Sequence, residues 1–110
     1  MVSHEPKRFV DRVSYITSPG YLDGGDAREQ LGFVGGGPSA IITTLGILRP
    51  DPQTHEFQLD AYFAFSGIKE ILANTGWDLK MAADVRVVPE PSAEELAALR
   101  RVDETAMLRR

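Results

Sequence analysis

Two apolar runs separated by a proline-marked breaker limit the fold of this chain more than any other feature. The run "SAIITTLGILR" is rich in β-branched residues and nearly continuously apolar, which describes a strand buried on both faces. The segment "PDPQTHE" follows, with two prolines that interrupt any regular structure. Then "FQLDAYF" alternates, Phe57, Leu59, Ala61 and Phe63 against Gln58, Asp60 and Tyr62, the period of a half-buried strand. The pattern predicts an antiparallel hairpin, Ile41 to Leu48 against Phe57 to Phe63. Ile42 and Leu45 are expected in the core and Asp51 exposed.

The remaining elements follow from period and punctuation. "RFVDRVSYIT" alternates with Phe9, Val13 and Tyr15 on one face and predicts a first strand. Ile68, Ile71, Leu72 and Thr75 share a helical face, with Ser66 as the expected cap and Gly76 as the stop. Val85 to Val88 predicts a short strand. "PSAEELAALRRVD" is the clearest helix: Ser92 and Glu95 form a capping box, and Leu96, Leu99 and Val102 line one side. The order is strand, glycine-rich loop, strand, strand, helix, strand, helix. That is an α/β domain, a mixed sheet with flanking helices.

At 110 residues the chain is one domain, residues 1–110, with a modest core. Its net charge of −4 argues against nucleic acid or an anionic membrane surface as partner. No cysteine is present, which excludes disulfides, thiolate catalysis and a cysteine zinc site. "MVSHEPKRFV" lacks an apolar signal core, and no stretch is long and apolar enough to span a bilayer. A cytoplasmic protein is expected.

Seven of the ten glycines fall between Tyr15 and Pro38, in "YITSPGYLDGGDAREQLGFVGGGP". A nucleotide loop needs a helix opening behind its glycines, whereas Gly35, Gly36 and Gly37 precede Pro38 and a predicted strand. A pure linker would not carry Tyr21, Leu22, Leu31 and Phe33. The stretch is therefore expected to be partly ordered. His4 and His55, the two histidines, lack a second ligand at metal-site spacing, so no metal site is expected and both read as exposed polar residues. No G-x-S-x-G elbow is present. The carboxylates sit in helix first turns, on polar faces and in the proline turn, and none reads as a catalytic acid.

The phrases "RFVDRVSYITSPG", "GGGP", "IITTLGIL" and "IKEILANTGWDL" resemble the C-terminal half of the β subunit of family I CoA-transferases, closest to the glutaconate CoA-transferase branch. "PSAEELAALR" resembles that branch's terminal helix. The resemblance implies one half of an open α/β subunit and transfer of CoA between an acyl-CoA and a carboxylic acid. Coenzyme A is then a substrate, with no cofactor. The expected protein partner is a CoA-transferase α subunit, or a second copy through Phe63 and Phe65.

Family members attack the acyl-CoA with a glutamate in a Ser-Glu-Asn-Gly-like stretch, giving a glutamyl-CoA thioester. None of the eight glutamates here is followed by Asn-Gly, so no catalytic residue is assigned and the nucleophile is expected outside this chain. "LDAYFAFSGIKEI" also departs from the family's histidine-proline-glycine-valine run. Ser18, Gly20 and Tyr21 match the "TSPG" turn region and Gly36 and Gly37 the "GGP". The resemblance implies that they line the acyl or CoA channel. The departures leave two other readings open, a ring hydrolase of CoA thioesters on the same scaffold and a non-catalytic assembly module.

Overall fold

A computed structural model describes residues 1–107 of the chain. Its framework is a four-stranded mixed sheet in the order β1 (Ile41–Ile42), β2 (Gly46–Pro50), β3 (Phe57–Tyr62) and β4 (Met81–Val87). β2 and β3 run antiparallel across the proline turn, with Leu48 opposite Leu59 and Pro50 opposite Phe57. β4 lies parallel to β3. A parallel neighbour requires a crossover, which α2 (Ile68–Ala73) supplies. α3 (Ala93–Val102) follows β4, and α1 (Ala27–Gln30) is a single turn inside the glycine-rich stretch. The expected class, a mixed sheet with flanking helices, is the one found.

Several details differ from the sequence reading. The run from Ile41 is not one strand: it turns back at residues 43–45, and β1 pairs antiparallel with β2, Ile41 opposite Leu48. The Thr43 hydroxyl drives this turn by accepting from the N–H groups of Leu45 and Gly46, a side-chain bond that competes with a continuous ladder. Ile42 consequently faces out, at 49% exposure, and Leu45 and Asp51 are half-buried. Second, no strand forms over residues 9–17, and Val13 and Tyr15 are exposed while Phe9 is buried. Third, Ser66 does not cap α2. Its hydroxyl lies 2.6 Å from the Leu45 carbonyl and 3.0 Å from that of Phe63, and Gly67 is the N-cap residue. The capping box of α3 is present as expected, Ser92 and Glu95 each bonding the other's backbone.

The core is small. Leu48, Leu59, Ile71 and Leu79 form its buried cluster, with Phe57, Tyr62, Ile68 and Trp77 half-buried against it. The expected inward face of β3 is observed at Leu59 and Ala61. Its outward Asp60 carboxylate lies between Arg49 of β2 and Arg86 of β4, at 3.4 and 3.7 Å.

The N-terminal segment is fastened by His4, which is buried rather than exposed. Its ring stacks on Phe9 at 4.0 Å. Nδ1 lies 3.1 Å from the Thr43 hydroxyl and Nε2 2.8 Å from that of Thr75. The lone pairs of the Thr43 oxygen are taken by Leu45 and Gly46. It has only its hydrogen left to offer, to Nδ1 and to the Gly46 carbonyl, each at 3.1 Å. Nε2–H then donates to Thr75, whose own hydrogen goes to the Ile71 carbonyl. A neutral imidazole satisfies this network, and a second proton would point at a filled oxygen.

Burial pushes the His4 pKa down in the same direction. The unfolded chain therefore takes up this proton first, at about pH 6.5. His4 contributes its full stabilisation above that value and loses it as pH falls below. Urea midpoints at about pH 7.5 and 5.5 are expected to drop on acidification, and the drop to shrink in His4→Gln. Parallel pH profiles for the two proteins would contradict this account.

Candidate functional site

The glycine-rich stretch folds into a closed loop docked on the β2–β3 turn. That turn is held by Asp51, whose carboxylate accepts from the N–H groups of Gln53 and Thr54 at 2.9 and 2.8 Å. The same backbone bonds hold the Asp51 carboxyl below the usual carboxylate range. The turn presents the Thr54 carbonyl to the N–H of Gly25, at 2.8 Å. His55, at φ +58°, reaches back with Nδ1 2.6 Å from the Gly25 carbonyl. Since a carbonyl only accepts, Nδ1 carries the hydrogen. A Cβ on Gly24 would lie 2.6 Å from the Thr54 oxygen, so the backbones meet here only because this residue is glycine.

Two side chains close the loop on itself. The Tyr21 ring stacks on His55, centroids 4.4 Å apart. Its hydroxyl donates to the carbonyls of Gly36 and Pro38, each at 2.8 Å. Arg28, on α1, donates to the Gly20 carbonyl at 3.0 Å and, more weakly, to those of Val34 and Gly35 at 3.4 Å. A Cβ on Gly37 would sit 2.9 Å from the Tyr21 ring. The loop carbonyls are thus consumed by Arg28 and Tyr21. Among the described residues nothing accepts from the N–H groups of Val34, Gly35, Gly36 and Gly37, and these residues are exposed. Four exposed backbone donors thus remain on a loop held by Arg28 and Tyr21, open to carbonyl, carboxylate or phosphate oxygens.

Of the residues singled out in the sequence, Gly20, Tyr21, Gly36 and Gly37 meet in this loop. Ser18 is exposed and makes none of its contacts. Arg28 and His55 were missed. Nothing local in the sequence marks them, because Arg28 bonds carbonyls placed by the path of the loop and His55 meets Gly25 and the Tyr21 ring from far along the chain.

The carboxylates are unsuited to nucleophilic attack where they stand. Glu5 is ion-paired to Arg8 at 2.6 Å, a hydrogen bond that lowers its pKa. Glu56 pairs with Lys80 at 2.7 Å, and Glu95 is held by the backbone of Ser92, which also lowers it. Glu29, Glu70, Glu90, Glu94 and Glu104 are exposed. Among the described residues no cluster of His, Asp or Glu could hold a metal ion, and no helix is long and apolar enough to cross a membrane.

A hollow of about 860 Å³ lies elsewhere, between Phe63, Phe65 and α3. The six residues of β3 separate it from the glycine loop by roughly 20 Å.

No protein-family model matches the chain. It is 40% identical over 98 residues to the B subunit of a glutaconate CoA-transferase from Acidaminococcus fermentans, covering 87% of this chain and 37% of that protein. It is 39% identical over 97 residues to the B subunit of a 3-oxoadipate CoA-transferase from Pseudomonas knackmussii, covering 88% and 37%. The crystal structure of glutaconate coenzyme A-transferase from Acidaminococcus fermentans superposes with a TM-score of 0.81 at 36% identity, over 89% of this chain and 38% of that one. The structure of Rhodococcus jostii RHA1 IpdAB, with a TM-score of 0.74 and 23% identity over 96% and 42%, shares the fold. The resemblance drawn from the sequence therefore holds over most of the chain, which spans 37% of the length of the curated relatives it matches.

Proposed function

We propose that this relative of CoA-transferase B subunits forms one wall of an acyl-CoA site in a protein that moves coenzyme A between an acyl-CoA and a carboxylic acid. The observation that carries the reading is the set of four exposed N–H groups without a protein acceptor at residues 34–37, on a loop held by Arg28 and Tyr21. The thioester carbonyl, the acid and the CoA phosphates all present oxygens that such donors bind. Gly20, Tyr21, Gly36 and Gly37 build the wall; Ser18 lies at its approach. The reacting glutamate lies outside this chain, because none of the glutamates here is free and enclosed. The chain is then a single-domain C-terminal segment that works with the rest of a B subunit and an α subunit in the cytoplasm, with coenzyme A as substrate and no cofactor.

The test is an amide NMR titration with coenzyme A and acetyl-CoA. The largest shifts are expected at Gly35, Gly36 and Gly37. In Gly24→Ala, which separates the loop from Thr54, these shifts are expected to fall. No CoA-transferase turnover is expected from the chain alone with glutaconyl-CoA or succinyl-CoA and acetate. The chain lacks the reacting glutamate, and loss of a catalytic nucleophile alone costs several orders of magnitude in rate. Shifts confined to the Phe63–Phe65 end, no shifts, or turnover abolished by a single Glu→Gln change would each overturn the reading.

A further inference from the structure

We propose that Arg49 and Arg86, on the outward face of the sheet, clamp the 3′-phosphate of coenzyme A. The inference rests on the reading of the glycine loop as part of a CoA site and adds a second place of contact to it. The two arginines stand on β2 and β4, with Asp60 of β3 between them. Both reach the same oxygen of that carboxylate, Oδ2, at 3.4 Å from Arg49 Nε and 3.7 Å from Arg86 Nη2. A charge-assisted hydrogen bond is shorter, about 2.7–2.9 Å. Asp60 therefore keeps the guanidiniums near each other without occupying their forks. Arg86 makes no hydrogen bond among the described residues, and Arg49 makes one, of 3.3 Å from Nη1 to the Ser39 carbonyl. Most N–H donors of the two forks are open. The Asp60 side chain is only 17% exposed, against 51% and 60% for the arginines, so a ligand arriving from solvent meets the guanidiniums first.

Charge selects that ligand. Two guanidiniums against one carboxylate leave one positive charge, and no other carboxylate pairs with either arginine among the described residues. A phosphate monoester carries about −1.5 to −2 at neutral pH, and its oxygens can meet both forks at once. Coenzyme A has one such group, at its 3′ position. The site also lies close to the glycine loop. The Ser39 carbonyl that Arg49 holds belongs to the second residue after Gly37, and Tyr21 holds the carbonyl of Pro38 between them. From the reach of an extended chain, the Arg49 guanidinium stands within about 14 Å of the Gly37 N–H. That span is shorter than an extended coenzyme A, so one molecule can touch both places.

The test is an NMR titration of the whole chain that follows the loop amides and the arginine Nε–H signals together. Low salt is used, because exposed charges are screened. Coenzyme A is expected to shift the Nε–H signals of Arg49 and Arg86. Dephospho-coenzyme A, which lacks the 3′-phosphate, is expected to leave them in place and to bind about tenfold more weakly, the scale of a lost hydrogen bond to a charged group. Arg86→Gln is expected to lose about the same factor for coenzyme A and almost nothing for dephospho-coenzyme A. Asp60→Asn removes the competing carboxylate and is expected to bind coenzyme A severalfold more tightly, a sign that a purely structural ion pair does not predict. Far-UV circular dichroism checks that both variants fold. Inorganic phosphate, which gains nothing from the loop, is expected to bind more weakly than coenzyme A. Shifts at residues 34–37 with none at the arginines would overturn the clamp and leave the loop reading standing. So would equal binding of the two nucleotides, weaker binding by Asp60→Asn, or inorganic phosphate binding as tightly as coenzyme A. Arginine shifts with a silent loop would keep the clamp and overturn the loop reading; silence at both would overturn both.

Discussion

Leu59→Ala is expected to lower the unfolding free energy by about 3–4 kcal/mol, within the range seen for leucine deletions in closed cores. Leu59 has no exposed surface. It sits on the central strand, opposite Leu48 on β2 and Met81 on β4. Ile71 of α2 and Leu79 complete the buried cluster. Phe57, Tyr62, Ile68 and Trp77 pack half-buried against that cluster, and partial relaxation of such neighbours leaves part of the space as a cavity. A chain of this length has a total stability of roughly 5–15 kcal/mol, of which this one truncation removes a large share. Urea unfolding gives the measurement: the midpoint should fall at nearly unchanged slope. Leu31→Ala, in the exposed loop, is the control and should stay within about 0.5 kcal/mol. A Leu59→Ala loss no larger than the control's would mean that the core lies elsewhere.

What could be read in the sequence was whatever depends on local periodicity. The alternation of Phe57, Leu59 and Ala61 and the capping box of Ser92 and Glu95 are carried by neighbours within a few residues, and both are found. Alternation alone failed at "RFVDRVSYIT". It says which face a strand would bury but not whether a partner strand exists to receive it, and here residues 10–18 stay exposed.

The bend at Thr43 was hidden for a different reason. Threonine favours strands, yet its hydroxyl can also seize the backbone two and three residues on, and here it does. His4 was hidden by distance, since its partners stand 39 and 71 residues away. At the candidate site the glycines were legible as a concentration. The anchors that fix them, Arg28 and His55, act on backbone carbonyls and, for His55, on a ring 34 residues away, and such contacts leave no local pattern in the side-chain string.

Gly46→Ala is expected to cost about 3 kcal/mol, the upper part of the range for overpacking. The reason is not conformational freedom, because Gly46 does not need a left-handed backbone. On backbone entropy alone, alanine would stabilise by about 0.4–1 kcal/mol. The sign is decided by sterics. A Cβ here would lie 2.5 Å from the Ala61 carbonyl oxygen and 3.2 Å from the Tyr62 Cα. Both are backbone atoms of the central strand, so no side chain can swing aside. β2 must move off β3 at the point where the Leu45 carbonyl receives the N–H of Phe63 and the hydroxyl of Ser66. The same movement pulls on Thr43, whose hydroxyl is bound to the Gly46 N–H and faces His4. Gly36→Ala is the matched comparison: nothing lies within 4 Å of its added Cβ, and its φ is not positive. That change should be neutral or slightly stabilising, so the two alanines are expected to differ by about 3 kcal/mol or more in urea unfolding. Equal midpoints would show that β2 and β3 have slack at this crossing, and the argument from close approach would fail with them.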